Sequence, residues 1–355
     1  MMKKLTYILK WLPLLAVAAL GACGSGDDVS APAPADDGPQ QIMLSCATAA
    51  DDGYINVGTR APVTGEQFGD TGPYFYAFTT DKTNLTQAEA YENIYGLGST
   101  NDGQVAGNET FSHFNLNSTK YYPESGALKF YACYPAPNSS SSVTNLGFTI
   151  TGQEDIMWGQ IQNGHNSFTK ARGGDTQEQP RFLFHHLLQQ IQFRLEAGEG
   201  FPTGVYVTQI SITNTPVNAV LDATASSEAS ALNFPNPSST SWVNIERSWS
   251  TYQNTWNIVD NNTTNVDHQL MVYPNQKSFS LYIEVDGALQ KSYNVTADLS
   301  GVDHAGEAGY SHLITLEFKL QQDEIIPYAT VTKWVDRADG KTASGETWWD
   351  KNIDG

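Results

Sequence analysis

The chain has 355 residues and a formal net charge of −19, because 38 aspartates and glutamates face only 19 lysines and arginines. This length suggests roughly two domains, each large enough to bury its own core. The charge balance excludes a nucleic-acid binder that works by neutralising phosphates, since so few scattered cations cannot form a basic face. Charged residues are only 16% of the chain and aromatic residues 11%. This composition favours an all-β surface protein over a helical enzyme.

The first 22 residues have the pattern of a bacterial lipoprotein signal peptide. Lys3, Lys4 and Lys10 precede an apolar stretch that is shorter than the ~20 residues needed to cross a bilayer. The Leu-Gly-Ala-Cys run that ends at Cys23 resembles a lipobox, in which the cysteine is acylated and becomes the new N-terminus. We expect Cys23 to carry lipid, palmitate included, that anchors the precursor in the outer membrane. The alternative is an ordinary signal peptide with a chance cysteine. The acidic, proline-rich residues 23–40 predict a flexible tether.

Beyond residue 40, apolar and polar residues alternate with period 2, which predicts strands with one face on a core. Only residues 85–95 and 182–190 have a pattern compatible with short helices. Long polar loops between the strands favour β-sandwiches, and the turn-rich residues 198–204 predict that two of them meet near that point. The alternating runs are Ile42, Leu44 and Cys46; Tyr74, Tyr76 and Phe78; Leu128, Phe130, Ala132 and Tyr134; Ile191, Phe193 and Leu195; Tyr206, Thr208, Ile210 and Ile212; Leu281, Ile283 and Val285; and Ile314, Leu316, Phe318 and Leu320.

Two cysteines remain when Cys23 is assigned to lipid, namely Cys46 and Cys133. They are too few for a disulfide framework or a structural zinc site. Both stand in alternating runs, so one reading makes them small buried hydrophobic residues. The other is a Cys46–Cys133 disulfide formed in an oxidising compartment.

The sequence contains no motif that predicts catalysis. His185 and His186 are adjacent, and neighbouring residues point to opposite faces of a strand, so they cannot hold one metal ion together. The chain has neither a Gly-x-Ser-x-Gly elbow nor a His-Glu-x-x-His zinc motif. Residues 336–340 start like a calcium loop but lack its downstream ligands. We therefore predict no enzymatic activity, no cofactor and no metal.

Six short motifs follow one another along the chain, and each is weak alone. They are Thr59-Arg60-Ala61-Pro62, Lys120-Tyr121-Tyr122-Pro123, the run from Leu128 to Pro135, the run from Phe184 to Phe193, the run from Gly309 to Leu316, and the run from Ala329 to Trp334. In this order and spacing the chain resembles the fimbrillins, the pilins and pilus-associated lipoproteins of Bacteroidetes type V fimbriae. The chain departs from the family at Cys133, where an apolar or aromatic residue is more usual.

The resemblance implies a fold of two transthyretin-like β-sandwich domains in tandem and assembly by strand exchange. An arginine-specific protease would cut between Arg60 and Ala61, and so release the prosegment 41–60 with its first strand, in which Ile42, Leu44 and Cys46 alternate. The opened sheet edge would then accept a strand from a neighbouring subunit. A Cys46–Cys133 disulfide would oppose this, because it would hold the cut strand in place.

These expectations together predict a non-catalytic fimbrial subunit or fimbrium-associated adhesin. It would be exported as an outer membrane lipoprotein and would then stand at the cell surface in the fimbrium. Its partners would be other fimbrial subunits, the arginine-specific protease, the outer membrane, and host or bacterial surface ligands. The predicted domains are 61–198 and 199–335. The donor strand would come from residues 325–334 or from the tail 336–355.

The alternative function is a glycan-binding surface lipoprotein of a polysaccharide-uptake system. Exposed tryptophans such as Trp242 would then stack on sugar rings.

Overall fold

The computed structural model describes residues 38–48, 73–86, 89–99, 104–106, 109–116, 118–162, 164–173, 178–198, 204–245, 256–258, 263–287, 291–302, 304–321, 324–332, 335–336 and 341–342. Apart from Gly38, these residues belong to one compact unit, Pro39–Gly355. Cys23, Arg60 and Ala61 lie outside the described residues, so the lipid anchor and the cleavage site stay predictions.

The regular secondary structure of the described residues is nearly all β-strand, with loops and turns between the strands, which confirms the all-β prediction. Within the described ranges there are two single-turn helices, α1 at Lys170–Gly173 and α2 at Glu228–Ala231. The strands are β1 Ser45–Thr48, β2 Tyr74–Thr79, β3 Glu92–Ser99, β4 Gln104–Ala106, β5 Glu109–Leu116, β6 Leu128–Tyr134, β7 Ser139–Ser142, β8 Asn145–Thr149, β9 Met157–Ile161, β10 Arg181–His186, β11 Gln189–Ala197, β12 Val205–Pro216, β13 Asn218–Leu221, β14 Leu232–Asn233, β15 Thr240–Asn244, β16 Trp256–Ile258, β17 Thr263–Val272, β18 Ser278–Gly287, β19 Lys291–Asp298, β20 Ser311–Gln321, β21 Glu324–Thr332, β22 Val335–Asp336 and β23 Lys341–Thr342.

Residues 85–95 and 182–190, whose patterns are compatible with short helices, contain no α-helix where the structure describes them. Strand β3 begins inside the first region, and β10 and β11 occupy most of the second. In β10, Phe182 and Phe184 are fully buried while Leu183 and His185 are partly exposed. That alternation is the period of a strand, but a short apolar run can be read either way from sequence alone.

The largest sheet has eight strands in the order β1-β10-β9-β6-β2-β3-β5-β4. Strand β1 also pairs with β5, so the described strands from β1 round to β5 form a closed ring. Within this ring β1 runs parallel to β10 and antiparallel to β5. Strand β1 therefore bridges β10 and β5 and so closes the ring.

Two hydrophobic clusters lie on opposite faces of this sheet. In β6, Phe130 and Ala132 belong to the cluster enclosed by the ring, whereas Cys133 belongs to the cluster outside it. Strand β2 is divided in the same way, with Phe75 inside and Tyr76 outside. We call the first the inner cluster; its members are Ile42, Leu44, Cys46, Phe75, Ala77, Tyr122, Leu128, Phe130, Ala132, Met157, Phe168, Phe182 and Phe184.

The outer cluster joins this ring to the later strands. It contains Tyr76, Phe78 and Trp158 from the ring and continues through buried residues of β11, β12, β17, β18 and β20. These later strands form two sheets, β17-β11-β20-β21 and β15-β12-β18-β19, with β16 added to β12. A small sheet, β14-β13-β8-β7, pairs strands from both halves of the chain.

The chain passes from the eight-stranded sheet to the sheet β17-β11-β20-β21 between β10 and β11. Strand β11 pairs with β17 and β20, although it precedes the predicted domain boundary at residue 198. The domain limits stay predictions. No helix in the described part of the chain is long and apolar enough to cross a membrane.

Candidate functional site

The backbone of residues 40–46 is hydrogen-bonded over its length to distant parts of the chain. Ile42 N donates to Lys120 O at 2.8 Å, and Tyr122 N donates back to Gln40 O at 2.9 Å. Farther along, Ser45 N donates to Pro180 O at 3.2 Å. From there β1 is paired on both sides, with β10 and with β5.

Alternate side chains of this segment enter the inner cluster. Ile42, Leu44 and Cys46 are all 0% exposed, while Met43 between the first two is partly exposed. Up to Leu44 this is the alternation of an extended chain with one face on a core, whereas Ser45, which lies in β1, is buried as well. The structure thus brings together in one cluster the three residues named for the removable strand.

Aromatic rings form the surface on which these side chains rest. Phe75 and Phe182 have ring centroids 5.2 Å apart, and Phe182 and Phe184 are 6.3 Å apart. On the other side, Phe130 lies 5.7 Å from Phe168. Close-packed rings have few ways to move into a space left by a lost side chain. The absence of the segment would therefore leave an apolar trough.

Tyr122, which the sequence analysis names as part of a motif but not as a site residue, also belongs to this site. Its side chain is 3% exposed and belongs to the inner cluster. Its hydroxyl has no hydrogen-bond partner among the described residues, and burial raises the pKa of this phenol well above its usual range. Its backbone N–H donates to Gln40 O, and its ring belongs to the same inner cluster as Ile42 and Leu44, so Tyr122 is tied to the segment through both its main chain and its side chain. The sequence feature that could have pointed to Tyr122 is its place in the Lys120-Tyr121-Tyr122-Pro123 motif.

The Cys46–Cys133 disulfide expected as one alternative is not formed. Cys46 lies in the inner cluster and Cys133 in the outer cluster, so the sheet itself separates the two sulfur atoms. Cys133 is 0% exposed, and burial raises the pKa of its thiol. The structure supports the other reading, in which both cysteines are small buried hydrophobic residues.

The two adjacent histidines point to different surroundings, as their strand position predicts. His186 Nδ1 lies 2.9 Å from Asp155 Oδ1, and both side chains are buried. His185 lies on the other face, with Nε2 3.2 Å from Gln160 Oε1. Burial, and then the charge of His186, lowers the pKa of His185. The described residues contain no group of three or more side chains suited to a metal ion.

The two candidate donor segments lie at the end of the chain. Strand β21 pairs with β20 from Gln321↔Glu324 to Leu313↔Thr332, so residues 325–332 complete a sheet of their own chain. In the tail, β22 and β23 pair with each other.

Comparisons with known proteins give one family and several solved structures. A family described as fimbrillin-like matches residues 59–334. Among curated proteins, no match was found.

The solved structures are distant in sequence. A candidate cell adhesion protein of Bacteroides uniformis is 15% identical with a TM-score of 0.47, covering 84% of this chain and 99% of its own. The tip fimbrial protein Mfa3 of Porphyromonas gingivalis, truncated at its C-terminus, is 11% identical with a TM-score of 0.35, covering 83% and 100%. The fimbrial anchor protein Mfa2 of the same organism is 10% identical with a TM-score of 0.37, covering 83% and 98%.

Proposed function

The chain belongs to the fimbrillin-like family, and from this premise we propose that it is a non-catalytic fimbrial subunit or fimbrium-associated adhesin assembled by strand exchange. The precursor is a lipoprotein held in the outer membrane through Cys23. An arginine-specific protease cuts it between Arg60 and Ala61, and the segment that contains β1 leaves. The product joins other fimbrial subunits at the cell surface.

The observation that carries this proposal is the position of β1 in the ring. It is paired with β10 on one side and β5 on the other, and Ile42, Leu44 and Cys46 fill the inner cluster. If β1 left, β5 and β10 would present unpaired backbone groups beside an apolar trough. An added strand satisfies both needs at once, since its backbone pairs with the edges and its alternate side chains fill the trough.

The strand that replaces β1 comes from a neighbouring subunit. Residues 325–332 already pair with β20, so their use as a donor would require them to leave their own sheet. We therefore propose that the tail 336–355 is the donor, and that the chain caps a fimbrium if the tail does not serve. In this proposal residues 61–198 and 199–335 are two transthyretin-like sandwiches of the subunit.

The test is cleavage of the purified full chain with an arginine-specific protease, followed by N-terminal sequencing and size measurement. We expect a stable core that begins at Ala61, loses residues 41–60 and forms oligomers. Arg60→Lys is the matched control, because it keeps the positive charge but removes the cleavage specificity, and it should stay monomeric. A cut chain that keeps residues 41–60 and stays monomeric would overturn the proposal.

A further inference from the structure

A groove of about 460 Å³ lies on the outer face of the ring, away from β1. Its floor is formed by Lys129 to Tyr131 of β6 and Trp158 to Ile161 of β9. One rim is formed by residues 164–166 and the other by residues 223–226. Sites for small molecules typically enclose about 300–1,000 Å³, so this groove is large enough for a small ligand.

The rim at residues 223–226 is held in place by buried contacts. Trp158 is 3% exposed, and its Nε1 donates to Ala223 O at 3.3 Å. Asp222 Oδ1 accepts from both Thr224 N at 2.8 Å and Thr224 Oγ1 at 2.6 Å, which fixes the turn. Ala223 N donates to Val143 O at 2.8 Å. The groove is therefore formed before any ligand arrives, and ordering this rim costs little binding free energy.

The floor presents a fixed amide beside an aromatic ring. Gln160 Oε1 accepts from Gln162 Nε2 at 3.1 Å and lies 3.2 Å from His185 Nε2, so the oxygen is engaged by neighbours and the NH₂ group faces no described partner. Tyr131 lines the groove beside it, and its ring packs edge-on against Phe78 with centroids 6.0 Å apart. Burial, and then the charge of Asp222, raises the pKa of Tyr131, so its phenol stays a hydrogen-bond donor.

The chemistry of the lining excludes several classes of ligand. No carboxylate stands among the described lining residues, which disfavours a metal ion or a cationic ligand. Lys129 supplies one ammonium and no arginine is present there, which is too little for a phosphate or nucleotide. His165 also lines the groove, and its Nε2 lies 2.7 Å from Glu178 Oε2. The remaining polar groups are the phenol of Tyr131 and the amides and hydroxyls of Gln160, Asn166, Thr224 and Ser226. Such neutral donors and acceptors suit a ligand rich in hydroxyl groups.

We propose that this groove between β6, β9 and residues 223–226 binds a neutral mono- or disaccharide. The ring of Tyr131 contacts the C–H face of the sugar, because aromatic side chains offer a large apolar surface with a polar tip. Gln160, Asn166 and Thr224 exchange hydrogen bonds with its hydroxyls. The site is separate from the exchanged strand, since none of its lining residues belongs to β1; of them, Phe130 belongs to the inner cluster and Ile161 packs against it.

The test is calorimetric titration of the full chain with lactose, cellobiose and N,N′-diacetylchitobiose, with inorganic phosphate as the charged comparison. We expect saturable binding of at least one disaccharide. Tyr131→Leu, which keeps bulk but removes the flat ring, should weaken that binding at least about tenfold. Asn166→Ala lies on the exposed rim and should weaken it about threefold or more without changing the thermal unfolding midpoint.

The matched control is Trp242→Ala. Trp242 is 51% exposed, lies on β15 with its ring 5.2 Å from that of Tyr282, and is outside the groove. We expect this variant to bind the disaccharide as the unchanged chain does. The proposal is overturned if no disaccharide binds saturably, if phosphate displaces the sugar, or if Trp242→Ala abolishes binding that the groove variants retain. Should Tyr131→Leu fail to fold, Asn166→Ala and Thr224→Val take its place: both should weaken disaccharide binding, whereas Trp242→Ala should not.

Discussion

Replacing Leu44 by alanine tests whether the segment before β1 is part of the core or merely lies on it. The Leu44 side chain is 0% exposed and belongs to the inner cluster. Leu→Ala changes at such sites cost about 2–5 kcal/mol, and the cost rises with the volume of the cavity that remains. Here the surrounding rings already contact one another, as the 5.2 Å between Phe75 and Phe182 shows. We therefore expect the cavity to persist and the loss in unfolding free energy to be near the middle of that range, about 3 kcal/mol.

The measurement is urea unfolding of the full chain, followed by tryptophan fluorescence. Met43→Ala is the matched control, because Met43 is the neighbour of Leu44 on the partly exposed face. It should cost less than about 1 kcal/mol, as surface changes usually do. Equal losses for the two variants would refute the reasoning, since they would mean that alternate residues of this segment are not divided between core and surface.

Three further predictions concern other buried positions. Gly159→Ala would place a Cβ 2.7 Å from the Cβ of Ala132, so we expect a loss of about 1–3 kcal/mol by urea unfolding, whereas Gly301→Ala, with open space around it, should be nearly neutral. His312 is 0% exposed, and burial lowers its pKa from 6.5 to about 4. As the pH falls, the unfolded chain therefore binds a proton at this histidine before the folded chain does, so the unfolding free energy should fall by up to about 3 kcal/mol between pH 6.5 and pH 4. His312→Gln should flatten the dependence of the unfolding free energy on pH in this range, and a variant with an unchanged dependence would contradict the prediction. The buried, protonated thiol of Cys133 should resist iodoacetamide in the folded chain and react fully in urea, and fast labelling of the folded chain would show the burial to be wrong.

Local alternation could be read from the sequence because each strand carries its own pattern. Leu128, Phe130 and Ala132 alternate in sequence, and in the structure they lie on one face of β6. The neighbouring Cys133 lies on the other face, where it is also buried. Both faces of this strand are covered, and the sequence does not show which core each face meets. For that reason the Cys46–Cys133 disulfide remained open until the fold was known.

Ring closure could not be read from the sequence, because it depends on contacts between distant residues. Ser45 pairs with His113 on one side and with Arg181 on the other. No local pattern specifies such partners, and residues 182–190, whose pattern also allows a helix, show how weak the local signal is for short apolar runs. The groove on the outer face is similar, since Tyr131, Gln160 and Thr224 come from three separate segments.

In the assembly that we propose, the sizes of the opposing free energies would make a cut in the chain enough to start strand exchange. While the segment is part of the chain, its contacts need not offset any cost of association. Burial of Ile42 and Leu44 contributes about 1.5–3 kcal/mol each, and each backbone hydrogen bond of the segment adds about 0.5–1.5 kcal/mol. A separate peptide must offset about 4–15 kcal/mol of lost translational and rotational freedom with the same contacts.

The balance for a cut segment is therefore close to zero, and at micromolar concentration it should dissociate. Strand β1 has only four residues, with two register partners on β5. A neighbour's strand that pairs over more residues forms more backbone hydrogen bonds and buries more alternate side chains for one association cost. The exchange then needs no energy source beyond the cut itself, because the same incomplete pairing that lets the short strand leave favours a longer replacement.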